Sequence, residues 1–183
     1  GRQRDGEVSG GHRGCDGGGL RRKLGAIVPH RLTQPGVQRR QGLGRLDHYA
    51  IFMENNARYI EACAAGERAG LYYTCIDSHL NADELAFIVN DSLARVLITS
   101  RARRAVALAA LASCPRLELL LMLDAGAEDA PFVDYEAAID AMPATPIADE
   151  SLGGAMLYSS GTTGRPKGVL RPLPDAAPSE LTP

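Results

Sequence analysis

The sequence predicts an α/β chain, a mainly parallel sheet flanked by helices. Three observations carry that expectation. Short apolar runs alternate with Ala-rich stretches of helical length, the runs are apolar on both faces and not alternating, and Asn residues stand where helices should open.

Taken in order, His48-Tyr-Ala-Ile-Phe-Met53 is a β-branched and aromatic run, hence a strand. Asn55 and Asn56 behind it are cap residues for an Ala-rich helix that ends at Gly70. Leu71 to Ile76 reads as a second strand. Asn81-Ala-Asp-Glu84 sets an acidic residue three positions beyond a cap and opens a helix through Leu85 to Leu93. Arg95 to Ser100 is a third strand, residues 101–112 a further Ala-rich helix, Leu117 to Leu123 a fourth strand, and Tyr135 to Met142 a short helix. Ala155-Met-Leu-Tyr158 is the next strand. In such sheets ligands gather at the carboxyl ends of the strands.

Composition bounds the class and divides the chain. With 183 residues, 45% apolar and 23% charged, full-length disorder and a coiled coil are excluded. The longest apolar candidate, Leu117 to Leu123, is interrupted by Glu118 and is far too short to cross a bilayer. With no signal peptide legible, a cytoplasmic setting is expected. Residues 1–46 hold ten basic and three acidic side chains, twelve of the twenty glycines and no aromatic residue. They cannot bury enough apolar surface to offset chain entropy, so this segment is expected to be disordered or translated from a shifted frame. Without aromatic interleaving it is not read as a nucleic-acid arm. Residues 47–174 form the folded unit and 175–183 a disordered tail. Cys15, Cys63, Cys75 and Cys114 show no C-x-x-C pair, so buried free thiols are expected, with neither a zinc site nor a redox dithiol.

The chemistry is concentrated after the Ala155–Tyr158 run, in Ser159-Ser-Gly-Thr-Thr-Gly-Arg-Pro-Lys-Gly168. Glycines let backbone N–H groups converge on phosphate oxygens, hydroxyls add donors or a magnesium ligand, and an ammonium supplies a point charge. It is not the ordinary nucleoside-triphosphatase loop, because Lys167 follows a proline and precedes a glycine. Only two lysines stand among twenty basic residues, and the one beyond residue 46 falls inside this loop.

Tyr158-Ser-Ser-Gly-Thr-Thr-Gly-Arg-Pro-Lys-Gly-Val169 resembles the phosphate-binding signature of the adenylate-forming superfamily: acyl-CoA synthetases, luciferases and peptide-synthetase adenylation domains. Asp47 to Asn56, Ala69 to Tyr73, Ser78 to Leu85 and Ala94 to Ile98 resemble the opening of bacterial fatty-acyl-CoA synthetases. The resemblance implies the first subdomain of that fold, incomplete, and a two-step ligation. A carboxylate attacks the α-phosphorus of ATP to give an acyl-adenylate and pyrophosphate, and the thiol of coenzyme A then displaces AMP. An anionic nucleophile must approach a polyphosphate; like charges about 4 Å apart repel by roughly 1 kcal/mol in water and about 4 kcal/mol at an effective dielectric of 20. Mg2+, the loop amides and Lys167 would offset that repulsion. By resemblance Ser159 contributes to the Mg2+ site, and Ser160, Gly161, Thr162, Thr163, Gly164 and Lys167 surround the phosphates, with Arg165 facing solvent. The adenine-stacking segment, the ribose-binding aspartate and the catalytic lysine of the superfamily lie beyond the matched stretch, so the chain alone is expected not to catalyse. An adenylating enzyme with another acceptor, and a non-catalytic remnant, are the alternative readings. Elsewhere His79 and the Arg101, Arg103, Arg104 cluster are expected to be solvated, and Glu54, Asp77, Asp83 and Glu84 to serve as caps and surface charges.

Overall fold

The computed structural model describes residues 43–140, 150–159, 165–177 and 180. The Tyr135–Met142 expectation reaches past Asp140 into residues outside that set, as do most of the tail and residues 1–42.

The central strands are β1 (His48–Phe52), β2 (Tyr72–Ile76), β3 (Val96–Ser100) and β4 (Leu119–Leu123), with two-residue strands β5 (Val133–Asp134) and β6 (Gly154–Ala155) at the two edges. Their order is β5-β4-β3-β1-β2-β6, and all five pairings are parallel. Successive residues of β1 therefore enter opposite cores. Tyr49 and Ile51 point toward α1 (Ala57–Ala69) and α4 (Tyr135–Asp140), whereas Ala50 and Phe52 meet α2 (Ala82–Asp91) and α3 (Arg104–Ala110). Because both faces are covered, the central strands show continuous apolar sequence with no alternation.

Helix ends follow their local chemistry. The Asn56 side chain accepts from the Tyr59 N–H at 3.1 Å to open α1, and Gly70 closes it at φ 68°. Asn81 accepts from the N–H groups of Asp83 and Glu84, while Glu84 accepts from the Asn81 N–H at 3.0 Å, completing the capping box that opens α2.

Three expectations need correction. The helix over 101–112 is a seven-residue α-helix with a 3-10 turn at each end. Ser100, positioned to cap it, donates its hydroxyl to Glu54 at 2.6 Å instead, and the Cys114-Pro115 step disfavours helical backbone beyond Ser113. Ala155–Tyr158 is not one strand. The Met156 N–H makes a 2.9 Å bond to the Tyr73 carbonyl, after which the chain leaves the sheet to form β7 (Leu157–Ser159). Packing also begins ahead of the compositional change: Leu43 is buried in the first core, and the Leu46 N–H donates to the Gly70 carbonyl at 2.8 Å.

Candidate functional site

The segment that carries the glycine-rich motif is a hairpin. β7 pairs antiparallel with β8 (Lys167–Val169), and the register sets Leu157 opposite Val169, Tyr158 opposite Gly168 and Ser159 opposite Lys167. Directly opposed residues of an antiparallel pair share one face of the ribbon. The hydroxyl of Ser159 and the ammonium of Lys167, eight positions apart in sequence, thus stand across from each other, and both residues are exposed. Ser160, Gly161, Thr162, Thr163 and Gly164 lie outside the described residues.

Two contacts seat this hairpin on α2. The Tyr158 hydroxyl donates to the Asp91 carboxylate at 2.6 Å, and burial together with that carboxylate pushes the phenol well above its ordinary pKa. Arg165 is exposed, as expected, with its guanidinium carbon 5.6 Å from the centre of the Phe87 ring. Gly168 allows a close approach: a Cβ there would lie 3.2 Å from the Tyr158 ring and would push the flexible Met156 methyl group aside. Neither partner on α2 was legible in the sequence, because nothing local ties Tyr158 to a residue 67 positions earlier.

The carboxyl ends of the strands carry two concavities. One of about 430 Å³, beyond β1 and β2, is lined by residues that include Glu54, Tyr59, Cys75, Asp77, His79 and Arg103. The other, of about 680 Å³, sits beyond β1, β3 and β4 and includes Glu54, Arg58, Ser100, Arg101, Asp124 and Glu136. Neither lining includes Ser159 or Lys167. The arginine cluster is not simply solvated. Arg101 pairs with Glu128 at 2.6 Å and also with Asp129, Arg104 pairs with Asp129 at 2.7 Å, and Arg103 lies 3.8 Å from Glu54. The acidic turn at 127–129 was the missed signal. His79 is exposed, with Nδ1 2.9 Å from the Asp77 carboxylate, which also accepts its backbone N–H.

The cysteines depart further from expectation. Cys114 is buried, but Cys75 is exposed and its sulfur lies 3.7 Å from that of Cys63. Packing α1 on β2 brings the two together without any C-x-x-C spacing. Among the described residues, no three His, Cys, Asp or Glu side chains gather where they could hold a metal ion, and no helix is long and apolar enough to cross a membrane.

Residues 36–173 match the family model described as AMP-binding enzyme. The chain is 32% identical over 152 residues to the mitochondrial acetyl-coenzyme A synthetase 2-like protein of Homo sapiens, covering 72% of this chain and 22% of that protein. It is 33% identical over 167 residues to the phosphinothricin tripeptide synthetase PhsB of Streptomyces viridochromogenes, covering 87% of this chain and 13% of that protein. In three dimensions it is similar to the fatty acyl CoA synthetase of Mycobacterium tuberculosis, with a TM-score of 0.63 and 21% identity over 84% of this chain and 27% of that one. The six-stranded sheet and its helices thus correspond to part of the N-terminal domain of adenylate-forming enzymes, and the chain spans less than a quarter of either relative's length.

Proposed function

From the premise that this chain belongs to the AMP-binding enzyme family, we propose that it supplies the phosphate-binding loop of an ATP-dependent acid–thiol ligase acting on a fatty or related carboxylic acid, with coenzyme A as acceptor. The observation that supports the loop assignment is the pairing of Ser159 with Lys167 at the mouth of the glycine-rich segment. An exposed hydroxyl facing an exposed ammonium suits a polyphosphate: the ammonium meets phosphate oxygens, and the hydroxyl suits Mg2+, which keeps most of its ligands as water and phosphate. Bound there with ATP, Mg2+ would neutralise charge on the departing pyrophosphate. In this reading Lys167 adds a fixed positive charge to the same oxygens, while the N–H groups and hydroxyls of Ser160, Gly161, Thr162, Thr163 and Gly164 hold the phosphates in line. Fatty-acid preference rests on the likeness of residues 47–98 to fatty-acyl-CoA synthetases. The similarity to a tripeptide synthetase supports a second reading, adenylation for a carrier-bound thiol.

Titration calorimetry with Mg·ATP tests the loop assignment on the full chain. Because Lys167 is exposed and its side chain supports no core contact, Lys167→Ala should leave the melting temperature unchanged and weaken binding by about tenfold or more. Equal affinity of the two proteins, or no binding by either, would sink it.

A further inference from the structure

The Cys63–Cys75 contact has no part in phosphate binding. It joins the middle of α1 to the carboxyl end of β2. The two sulfurs are 3.7 Å apart, so closing them to a disulfide requires a shift of under 2 Å. Cys75 lines the 430 Å³ concavity and is exposed, whereas Cys63 is half-buried behind it. One thiol therefore meets solvent while the other waits within reach, the arrangement in which an attacking cysteine stands beside a resolving one.

We propose that Cys63 and Cys75 form a peroxide-oxidisable dithiol that closes to an α1–β2 disulfide. In the first step the Cys75 thiolate attacks one oxygen of a hydroperoxide. The S–O bond forms, the O–O bond breaks, and the other oxygen leaves as water or alcohol after taking a proton from solvent. In the second step the Cys63 sulfur attacks the Cys75 sulfenic sulfur; the S–S bond forms, the S–O bond breaks, and hydroxide leaves with the Cys63 proton as water. Two sulfurs are oxidised by one each, and the peroxide is reduced by two electrons.

The surroundings assign the order of events. The contact with Cys63 and, after it, the Tyr59 hydroxyl lower the Cys75 thiol below its ordinary value, while Cys63 is pushed up by the same contact. Of the ionisable groups that line the concavity with Cys75, the positive charge of Arg103 would favour a thiolate and the negative charges of Glu54 and Asp77 would oppose it, and His79 is a further member of the lining. Cys114 is buried, and burial raises its thiol, which makes it an internal control.

The full chain is treated with hydrogen peroxide, blocked with iodoacetamide and digested with trypsin. Cleavage after Arg58, Arg68 and Arg95 isolates Cys63 and Cys75 on separate peptides, 59–68 and 69–95. The expected product is these two peptides joined, with the loss of two hydrogens, formed about tenfold faster than any oxidation of Cys114. In Cys63→Ser the same dose should leave Cys75 as a sulfenic acid that a 1,3-diketone traps, and the wild-type chain should trap far less. Oxidation of Cys75 no faster than Cys114, or a link from Cys75 to Cys15 or to a second chain in place of Cys63, overturns the proposal. Because none of these readouts involves nucleotide, the outcome is separate from that of the Mg·ATP titration.

Discussion

His48 begins β1 with its ring stacked on Tyr72, centroids 4.8 Å apart. Burial lowers its pKa below 6.5, and the charge of Asp47 only partly opposes this. The folded chain thus takes up fewer protons here than the unfolded chain. The His48 contribution is fully present above about pH 6.5 and is lost as pH falls toward the depressed folded value. Urea midpoints measured from about pH 7.5 down to about 5.5 should fall more for the wild-type chain than for His48→Phe, which keeps the stack without the titration. Parallel pH profiles would contradict this. Tyr49 makes a second residue-level demand. Its hydroxyl donates to the Ala62 carbonyl at 2.5 Å and accepts from the Gly66 N–H at 3.1 Å, bridging two groups one helical turn apart in α1. A Cβ at position 66 would collide with that hydroxyl, and Tyr49 is fully buried and cannot swing aside. Gly66→Ala should cost about 1–3 kcal/mol despite its better helix propensity. In a Tyr49→Phe background the cost should shrink; an unchanged penalty in that double-mutant cycle would show that the clash is not the cause.

At the scale of elements, the β7–β8 hairpin is tied to α2 through Tyr158 and Arg165. Tyr158→Phe removes the bond to Asp91 and keeps the ring in place. Amide exchange at 157–159 and 167–169 should then rise about five- to tenfold, corresponding to roughly 1 kcal/mol, while exchange in β1 stays unchanged. A uniform rise across the sheet would instead mean that Tyr158 supports the whole fold. The end of α2 shows why some boundaries are hard to read. Leu93 adopts φ 59° after the helix, where glycine is usual, and the Ala94 N–H bonds back to the Val89 carbonyl at 3.1 Å. No glycine marked that stop, so the sequence carried the expected helix to Leu93 when it ends at Asp91.

At the scale of the whole molecule, apolar surface is left uncovered around the hairpin. Leu157 is 53% exposed, and Val169 and Leu170 are 49% exposed each. Leu157 and Val169 oppose each other across the ribbon, so these two form one apolar face, with Leu170 next in the chain. The chain should self-associate with rising concentration, and Val169→Lys with Leu170→Lys should suppress it without lowering the melting temperature. Light scattering that reports one unchanging monomeric mass for the wild-type chain would refute this.

The sequence by itself determined the strand and helix alternation, the Asn56 and Asn81 caps and the Gly70 stop. Those are local properties, set by side-chain volume, capping groups and backbone freedom within a few residues. It also supported the family likeness, through an order of hydroxyls, glycines and lysine that few loops share. Tertiary structure alone decided that Met156 is where the chain changes partners, that Arg101 and Arg104 are held by Asp129, and that Cys63 meets Cys75. Each of these depends on which distant elements pack together, and parallel strands joined by helical crossovers place in contact residues whose local sequence carries no trace of the partner.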